Sequence, residues 1–503
     1  MADPIQPQPV ASKYLRIMLW SVPPFMVCMI MMGLTNGLIP PGVPGEWTWT
    51  APNNKLSDRE WLFAGASIMG YLLYLAAMMR FVNGSRFHGL AVFSLFPAAL
   101  ILQIGLHLSA PYGFGLAKWP ICSFSPGCSG YYLIAKTEAA ELPEFLENYP
   151  EWIKSKDSLH IGTHPPGLIV SSWAWLHFWE SHPNSARFFI SNLPAEMRDG
   201  ARNVLIKGTL SPSDQATLVS IGMTYWFLGA LSVWPLYLLV RKLGGSPAIA
   251  FQISSFWPVI PSATMFQPAS DIAFVPLVTL SVAMACNCRQ SRISPFQLIG
   301  LILSGLILGI GMFFSLVFLP AGLIIALLIL STPQVPIRTK LQQILAIGVG
   351  FLAITIIWGF LTGSNPIRIW HFNQINHGRF YIEFPRTYWK WLLADLGETA
   401  AGLSFPIFFL VLFSLTAQIR TERKKALTSP AVITALVLIA LAISGKSLSE
   451  VGRLWLPFYP LLLSAIVKMK PDPKPIPMHL WYIAWSMVQL IWLQAIVQVV
   501  YPI

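Results

Sequence analysis

Long apolar runs alternate with short polar segments along most of this chain. Many of the runs approach roughly 20 residues, the length at which an α-helix crosses the hydrocarbon core of a bilayer. This pattern predicts an all-α polytopic membrane protein, a single domain over residues 1–503 with about 13 transmembrane helices. The predicted spans are 17–38, 61–79, 89–108, 216–240, 248–264, 272–287, 296–313, 314–330, 344–362, 403–417, 430–443, 454–467 and 478–500.

Polar sequence is concentrated in residues 109–215 and 363–402, which we predict to be two large extracytoplasmic loops. The apolar run 168–178 inside the first loop has about 11 residues, where a span needs roughly 20. It is rich in tryptophan, with Trp173 and Trp175 inside it and Trp179 beside it, which is typical of a helix at the level of the lipid headgroups. We therefore predict an interfacial helix that does not cross the membrane.

The positions of the basic residues predict the orientation of the chain. With 55% hydrophobic and 11% charged residues the chain is not a soluble globular protein. How its formal charge of +12 is interpreted depends on which side of the membrane the charged residues lie. With the N-terminus inside, 17 of the 33 Lys and Arg residues but three of the 21 Asp and Glu residues face the cytoplasm. The charge therefore indicates an integral protein of a membrane such as the bacterial plasma membrane. Its partner is membrane lipid, not nucleic acid.

Two of the five cysteines, Cys122 and Cys128, lie close together in the first loop. An extracytoplasmic location allows a disulfide to persist, so the pair predicts a disulfide that closes a small loop. A zinc site is disfavoured because no second Cys or His pair accompanies them.

Acidic and basic residues at the outer ends of spans are the first candidates for chemistry, because a charge beside a membrane span is costly and usually faces a cavity or a partner. Asp271 precedes the span 272–287, and Glu450 and Arg453 precede the span 454–467. Glu450 and Arg453 are three residues apart, so on a helix they would also be able to pair with each other. The acids of the first loop include Glu138. For others there, Glu144 and Glu147, solvation at the surface is the simpler interpretation.

Histidines supply the second set of candidates. His160 and His164 are four residues apart, but the segment lacks the His-Glu pattern of a zinc-binding helix, so no metal site is predicted. In the second loop His377 and Arg379 are interleaved with aromatic residues, a composition that suits sugar stacking or phosphate contact. An interfacial helix would explain the same composition slightly better.

The segment Thr163-His164-Pro165-Pro166-Gly167 lies where the polar part of the first loop meets the apolar run. With an acidic segment before it, two spans after it and then the outer Asp271, it resembles the protein O-mannosyltransferases and aminoarabinose transferases of the glycosyltransferase C superfamily. The segment Glu-x-x-Arg-x-Trp-x-Pro-x-x-Pro over residues 450–460 is similar to predicted bacterial members of that superfamily. The resemblance covers roughly residues 89–468 and leaves two additional spans within 1–88.

This resemblance implies an inverting transfer of a sugar from a polyprenyl-phosphate donor to an extracytoplasmic acceptor, which is a glycan, a lipid or a protein. No resident cofactor is implied, because the phosphate is itself a good leaving group, and a divalent-metal requirement stays open. Glu138 becomes the candidate catalytic base and Asp271 its orienting partner or alternate. The residues predicted to bind substrate are His160, His164, His377, Arg379, Glu450 and Arg453.

Three departures from the family pattern, of which the two additional spans are one, keep other interpretations open. Ser129-Gly130-Tyr131-Tyr132 occupies the place of the family's acidic pair, and no Arg begins the span at 216. One alternative is therefore a non-catalytic member of the same fold. Another is a transporter or flippase of lipid-linked glycans, although nearly charge-free spans and polar outer loops favour catalysis.

Overall fold

A computed structural model describes residues 10–51, 54–82, 87–204, 210–286, 293–421, 426–468 and 475–498. It is 76% helical, which confirms the predicted all-α class. The strands within the described ranges form one short antiparallel hairpin, in which Gly42–Val43 (β1) pairs with Trp47–Thr48 (β2).

The helices follow one another along the chain with short connections. The first ten are α1 (Val10–Thr35), α2 (Asp58–Val82), α3 (His88–Leu108), α4 (Lys118–Phe124), α5 (Tyr131–Thr137), α6 (Leu142–Lys154), α7 (Gly167–Ser181), α8 (Pro183–Ser191), α9 (Ala195–Asn203) and α10 (Pro212–Leu231). They are followed by α11 (Val233–Lys242), α12 (Pro247–Ser254), α13 (Pro261–Met265), α14 (Asp271–Ala285), α15 (Pro295–Met312), α16 (Phe318–Ser331), α17 (Ile337–Thr362), α18 (Pro366–Glu383), α19 (Tyr388–Leu403) and α20 (Phe405–Thr421). The last helices are Pro430–Ile443, Val451–Leu454, Tyr459–Leu463 and Pro475–Ile496, and short 3-10 helices lie at Trp257–Val259, Leu456–Phe458 and Ser464–Lys468.

Fewer helices than predicted are long and apolar enough to cross a membrane. Within the described ranges six qualify, or up to seven if α19 and α20, which meet at 107°, form one bent span. The count of about 13 spans is therefore not confirmed. The six are Ile17–Thr35, Asp58–Val82, His88–Leu108, Pro212–Lys242, Pro295–Met312 and Ile337–Thr362.

Most of the remaining predicted spans are short or broken helices; the run at 478–500 lies on the continuous 22-residue helix Pro475–Ile496, which is not among the helices that qualify. Helices α14, α16 and Pro430–Ile443 have 15, 14 and 14 residues. The run predicted at 248–264 is divided by the 3-10 helix Trp257–Val259, and the run at 454–467 is divided in a similar way. Prolines at these breaks remove backbone donors, which interrupts the helical hydrogen bonds that apolarity alone would favour.

Helix α14 lies at the centre of the bundle and presents its N-terminal end to the functional region. It packs against α10, α11, α15, α16 and the 3-10 helix Leu456–Phe458. Most of its side chains are buried, whereas Asp271, in its first turn, is only partly covered. A negative charge is favourable at that end of a helix, because the helix dipole is positive there.

Helices α15 and α17 cross at a contact made by glycines. A Cβ atom on Gly305 would collide with the carbonyl oxygen of Ile347, and one on Gly350 with the carbonyl oxygen of Ile302. A Cβ atom on Gly309 would lie 3.0 Å from the carbonyl oxygen of Phe351. The glycine face on α15 therefore permits close helix approach.

The tryptophan-rich run of the first loop forms α7, which has 15 residues and is not among the helices long and apolar enough to span. Two of its tryptophans face α10. Trp175 Nε1 donates to Thr224 Oγ1 at 3.1 Å, and Trp179 Nε1 donates to Ser220 Oγ at 2.9 Å. The tryptophans thus fasten α7 to the bundle, and its interfacial location stays a prediction.

Part of the charge pattern that predicted the orientation lies outside the described residues. The basic positions concerned are Arg86, Arg289, Arg292, Arg423, Lys424, Lys425, Lys470 and Lys474, and the acidic ones are Asp3, Glu422 and Asp472. The orientation therefore stays a prediction.

Candidate functional site

A polar cavity of about 500 Å³ lies where the first loop, the start of α14, the end of α18 and the segment 446–458 meet. It brings together six residues that the sequence predicted for the site, although they are spread over about 290 positions of the chain. These six are His160, His164, Asp271, His377, Glu450 and Arg453.

At one wall of the cavity Arg453 lies between two carboxylates. Its Nη2 donates to Glu450 Oε2 at 2.8 Å, and its Nε is 3.6 Å from Asp271 Oδ2. The side chains of Arg453 and Asp271 are only 10% and 13% exposed. The predicted Glu450–Arg453 pairing is therefore present, and it also includes Asp271. A guanidinium held between two acids fixes the positions of both.

The backbone at this wall is strained. Ser449 and Glu450 adopt φ angles of 69° and 54°, which is the left-handed region that non-glycine residues rarely occupy. Such conformations persist only when the surroundings enforce them, and they often occur at functional sites.

The His-Pro-Pro turn forms a second wall and is held by α6 and α18. Asn373 Nδ2 donates to the carbonyl oxygens of Gly162 (2.9 Å) and His164 (3.0 Å). Asn376 Nδ2 also donates to Gly162, at 3.0 Å, and Tyr149 Oη donates to the His164 carbonyl at 2.9 Å. These bonds supply hydrogen-bond partners to backbone carbonyl groups of a segment that lies outside any helix.

The two histidines of this turn differ in what their rings can do. His160 Nε2 donates to the Gly127 carbonyl at 3.0 Å, and burial together with the nearby charge of Arg453 lowers the pKa of His160 to about 3. His164 Nδ1 lies 2.9 Å from the His160 carbonyl. Burial lowers the pKa of His164, and the charge of Asp271 opposes that effect. His160 is therefore a neutral, structural ring, whereas His164 can present Nε2 to a ligand.

A third wall carries cations that have no carboxylate partner in the described part of the chain. The guanidinium of Arg386 stacks between Phe380 (5.7 Å) and Trp391 (5.4 Å) and makes no ion pair there. Lys446 is exposed at the same cavity and likewise forms no ion pair among the described residues. His377 lies beside these two cations. Burial lowers its pKa, and the nearby His164 and Lys446 lower it further. This wall suits an anionic group.

Two predicted site residues lie elsewhere. Glu138 follows the last residue of α5 as its C-cap and does not line the cavity. Its side chain is 37% exposed, and its carboxylate accepts from Trp152 Nε1 at 2.6 Å and pairs with Lys156 at 3.0 Å. Partial burial would raise the pKa of Glu138, but these two donors lower it overall. Arg379 pairs with Glu383 at 3.2 Å on α18, also outside the cavity.

The cysteines of the predicted disulfide are neighbours, and both are buried free thiols in this structure. Cys128 lines the cavity, and burial raises its pKa. The disulfide stays a prediction. Among the described residues no group of three or more His, Cys, Asp or Glu side chains is arranged to hold a metal ion.

An apolar groove of about 490 Å³ adjoins the polar cavity. It is formed by α1, the β hairpin, α13, α19 and the last helix. Trp47 and Trp49 line both the groove and the cavity, so the two spaces share a wall. Glu398 is an acid within the otherwise apolar groove, and its Oε1 accepts from Trp49 Nε1 at 3.1 Å.

Three of these features were missed by the interpretation of the sequence. Trp47 and Trp49 flank one residue in the segment between α1 and α2, and this period of two is typical of a strand. Lys446 lies a few residues before Glu450 and lacked any motif of its own. The strained backbone at Ser449 carries no sequence signal, because a non-glycine residue does not predict a left-handed conformation.

Comparison with known proteins does not assign the chain. No protein-family model matches it, and neither the curated proteins nor the solved structures contain a significant match.

Proposed function

We propose that this protein transfers a sugar from a polyprenyl-phosphate donor to a hydroxyl acceptor on the extracytoplasmic side of a membrane. The observation that carries the proposal is a polar cavity that shares Trp47 and Trp49 with an apolar groove. The cavity contains carboxylates together with cations that form no ion pair among the described residues. An amphiphile with a charged head and a long apolar tail fits such a pair of spaces.

In this proposal the donor phosphate binds near Arg386 and Lys446, since these cations have no carboxylate partner in the described ranges. The lipid chain extends into the apolar groove, and the sugar lies against the aromatic side chains of the cavity. His164 Nε2 completes the polar contacts. Phosphate contact is thus assigned to Arg386 and Lys446 and not to Arg453, a predicted substrate-binding residue that already pairs with Asp271 and Glu450.

The proposed reaction needs one base and one stabilised leaving group. The acceptor oxygen forms a bond to the anomeric carbon, and its proton moves to a carboxylate oxygen of Asp271. The bond from that carbon to the phosphate oxygen breaks, and the electron pair leaves with polyprenyl phosphate. Cations beside the phosphate stabilise the added negative charge. Asp271 replaces Glu138 as the base because it lies in the cavity.

Substitution of Asp271 tests this proposal. We expect Asp271→Asn to lower turnover by about 10²–10⁴-fold, because the amide keeps the shape and removes the basicity. The assay is the release of polyprenyl phosphate from a panel of radiolabelled polyprenyl-phosphate sugars by purified protein. Glu144→Gln is the matched control, since Glu144 is exposed.

The same assay separates the two candidate bases. Glu138→Gln should retain turnover close to that of the wild type. If Glu138→Gln is inactive and Asp271→Asn is active, the base is Glu138 and the assignment to Asp271 is wrong. Thermal unfolding of each variant checks that the fold is intact.

A flippase for lipid-linked glycans is the second candidate, and the broken helices support it. The cavity is bounded by the interrupted run 447–458, and broken helices often form transport sites. Reconstituted protein would then move a fluorescent polyprenyl-phosphate sugar between leaflets without releasing polyprenyl phosphate.

A further inference from the structure

The strained segment at the cavity is held by three side chains from the second outer loop. Tyr381 Oη accepts from the backbone N–H of Leu448 at 3.0 Å. Asp395 Oδ1 accepts from the N–H of Ser449 at 3.1 Å, and Glu398 Oε2 accepts from the N–H of Val451 at 3.0 Å. The bonds therefore lie on both sides of Glu450.

Asp395 and Glu398 are three residues apart on α19 and so project from one face of that helix. This face lies against Val451–Leu454, the short helix that carries Arg453. Glu398 also accepts from Trp49, the residue that separates groove from cavity. One pair of acids thus contacts the segment beside Glu450 and the wall shared by both spaces.

Satisfying backbone donors would not require two acids. A hydroxyl group, as on Tyr381, or an amide can accept the same hydrogen bond, whereas a carboxylate is costly to bury. Asp395 is 1% exposed, and its Oδ2 is buried without a hydrogen-bond partner among the described residues. The two acids act here as hydrogen-bond acceptors, a role that an amide can share, and their bonds hold the left-handed backbone at Ser449 and Glu450.

We infer that Asp395 and Glu398 are positioning residues: they hold the segment 448–451 with Ser449 and Glu450 in the left-handed conformation and thereby place Arg453 between Asp271 and Glu450. The inference rests on the proposed function for its catalytic consequence. Its structural part concerns only the backbone and these carboxylates.

Removal of either acid should misplace the Arg453–Asp271 pair. We expect Asp395→Ala and Glu398→Ala each to lower kcat by about 100-fold with KM little changed, since a small misplacement of a reacting group has an effect of that size. Asp395→Asn and Glu398→Gln keep an oxygen acceptor and should restore most of the rate. An equal loss in the alanine and the amide variants would contradict positioning by the hydrogen bond.

A glycine substitution gives the sharper test. Ser449→Gly removes the strain that Asp395 opposes, because glycine adopts the left-handed conformation readily. In the Asp395→Ala background it should restore at least about a tenth of wild-type kcat and raise the thermal unfolding midpoint. Gln334→Gly is the matched control. Gln334 also has a positive φ, of 64°, but is exposed and outside the cavity, so it should restore no activity.

The outcomes separate this inference from the proposed function. If the wild type acts on no polyprenyl-phosphate sugar but Ser449→Gly still raises the unfolding midpoint of Asp395→Ala more than Gln334→Gly does, the function is wrong and the positioning role stands. The positioning role is wrong if Ser449→Gly and Gln334→Gly change kcat and the unfolding midpoint of Asp395→Ala by the same amount. It is also wrong if Asp395→Ala leaves kcat unchanged.

Discussion

At the scale of single residues, the neighbours of an acid decide what it can do. Glu138 and Asp271 are both carboxylates near apolar sequence, and both are predicted to lie on the outer side of the membrane. Glu138 is turned to Trp152 and Lys156 on the surface, whereas Asp271 begins a central helix and pairs with a buried guanidinium. The same distinction separates His164, whose Nε2 is available to a ligand, from His160, whose Nε2 is bonded to a carbonyl.

His160 predicts a dependence of stability on pH. Its pKa in the folded state is about 3, below the usual 6.5, so between these values the unfolded chain binds a proton that the folded chain does not. The contribution of neutral His160 to the free energy of unfolding is therefore complete above about pH 6.5. It is lost as the pH falls, and the loss amounts to about 2 kcal/mol at pH 5.

Thermal unfolding of purified protein at about pH 7.5 and pH 5 checks this expectation. His160→Gln can still donate to the Gly127 carbonyl but does not titrate, so its stability relative to the wild type should improve at the lower pH. Parallel behaviour of the two proteins would show that His160 takes up no proton on unfolding.

At the scale of elements, a short hairpin defines the boundary between groove and cavity. Two residue pairs of β1 and β2 cannot make a hairpin stable by themselves. Glu46, in the turn, accepts from the Thr387 N–H and from Trp391 Nε1, both at 2.8 Å, and fastens the hairpin to α19. The packing of Trp47 against Trp49 and Trp391 adds to this attachment.

Loss of this attachment should free the hairpin locally. We expect Glu46→Ala to increase the rate of hydrogen–deuterium exchange of the amides in residues 42–49 by at least about tenfold. The reason is that the hairpin can then open without having to break the hydrogen bonds that Glu46 accepts from Thr387 and Trp391. Peptide mass spectrometry measures it, with Glu144→Ala as the surface control. Unchanged exchange would mean that the tryptophan contacts alone hold the hairpin.

At the scale of the whole molecule, the question is which face of the membrane the cavity opens to. The charge distribution predicts a cytoplasmic N-terminus, a C-terminus outside and residues 109–215 wholly outside. Helix α7 agrees with this topology in being too short to cross.

Cysteine labelling in intact cells tests the topology. A cysteine introduced at the exposed Ser185 should react with a membrane-impermeant maleimide. A cysteine at the exposed Gln334, which lies near the predicted inner residues Arg338 and Lys340, should react only after permeabilisation. Reaction at Gln334 in intact cells, or protection of Ser185, would reverse or reject the predicted orientation.

The sequence by itself determined the helical class, the positions of the apolar runs and most of the cavity's charged and histidine residues. These follow from local properties, namely apolar length and the cost of a charge beside a membrane span. Only the tertiary structure decided which helices are long enough to span, because prolines accompany the breaks at Trp257–Val259 and Leu456–Phe458 but are accommodated inside the unbroken helices α3 and α14.

The tertiary structure also decided the membership of the site. It excluded Glu138 and Arg379 from the cavity and added Lys446 and the two hairpin tryptophans, because a side chain's direction depends on the elements packed around it. The left-handed backbone at Ser449 and Glu450 is the clearest case. No local preference favours it, and the hydrogen bonds that enforce it come from side chains more than 50 residues away, so only the folded chain could reveal it.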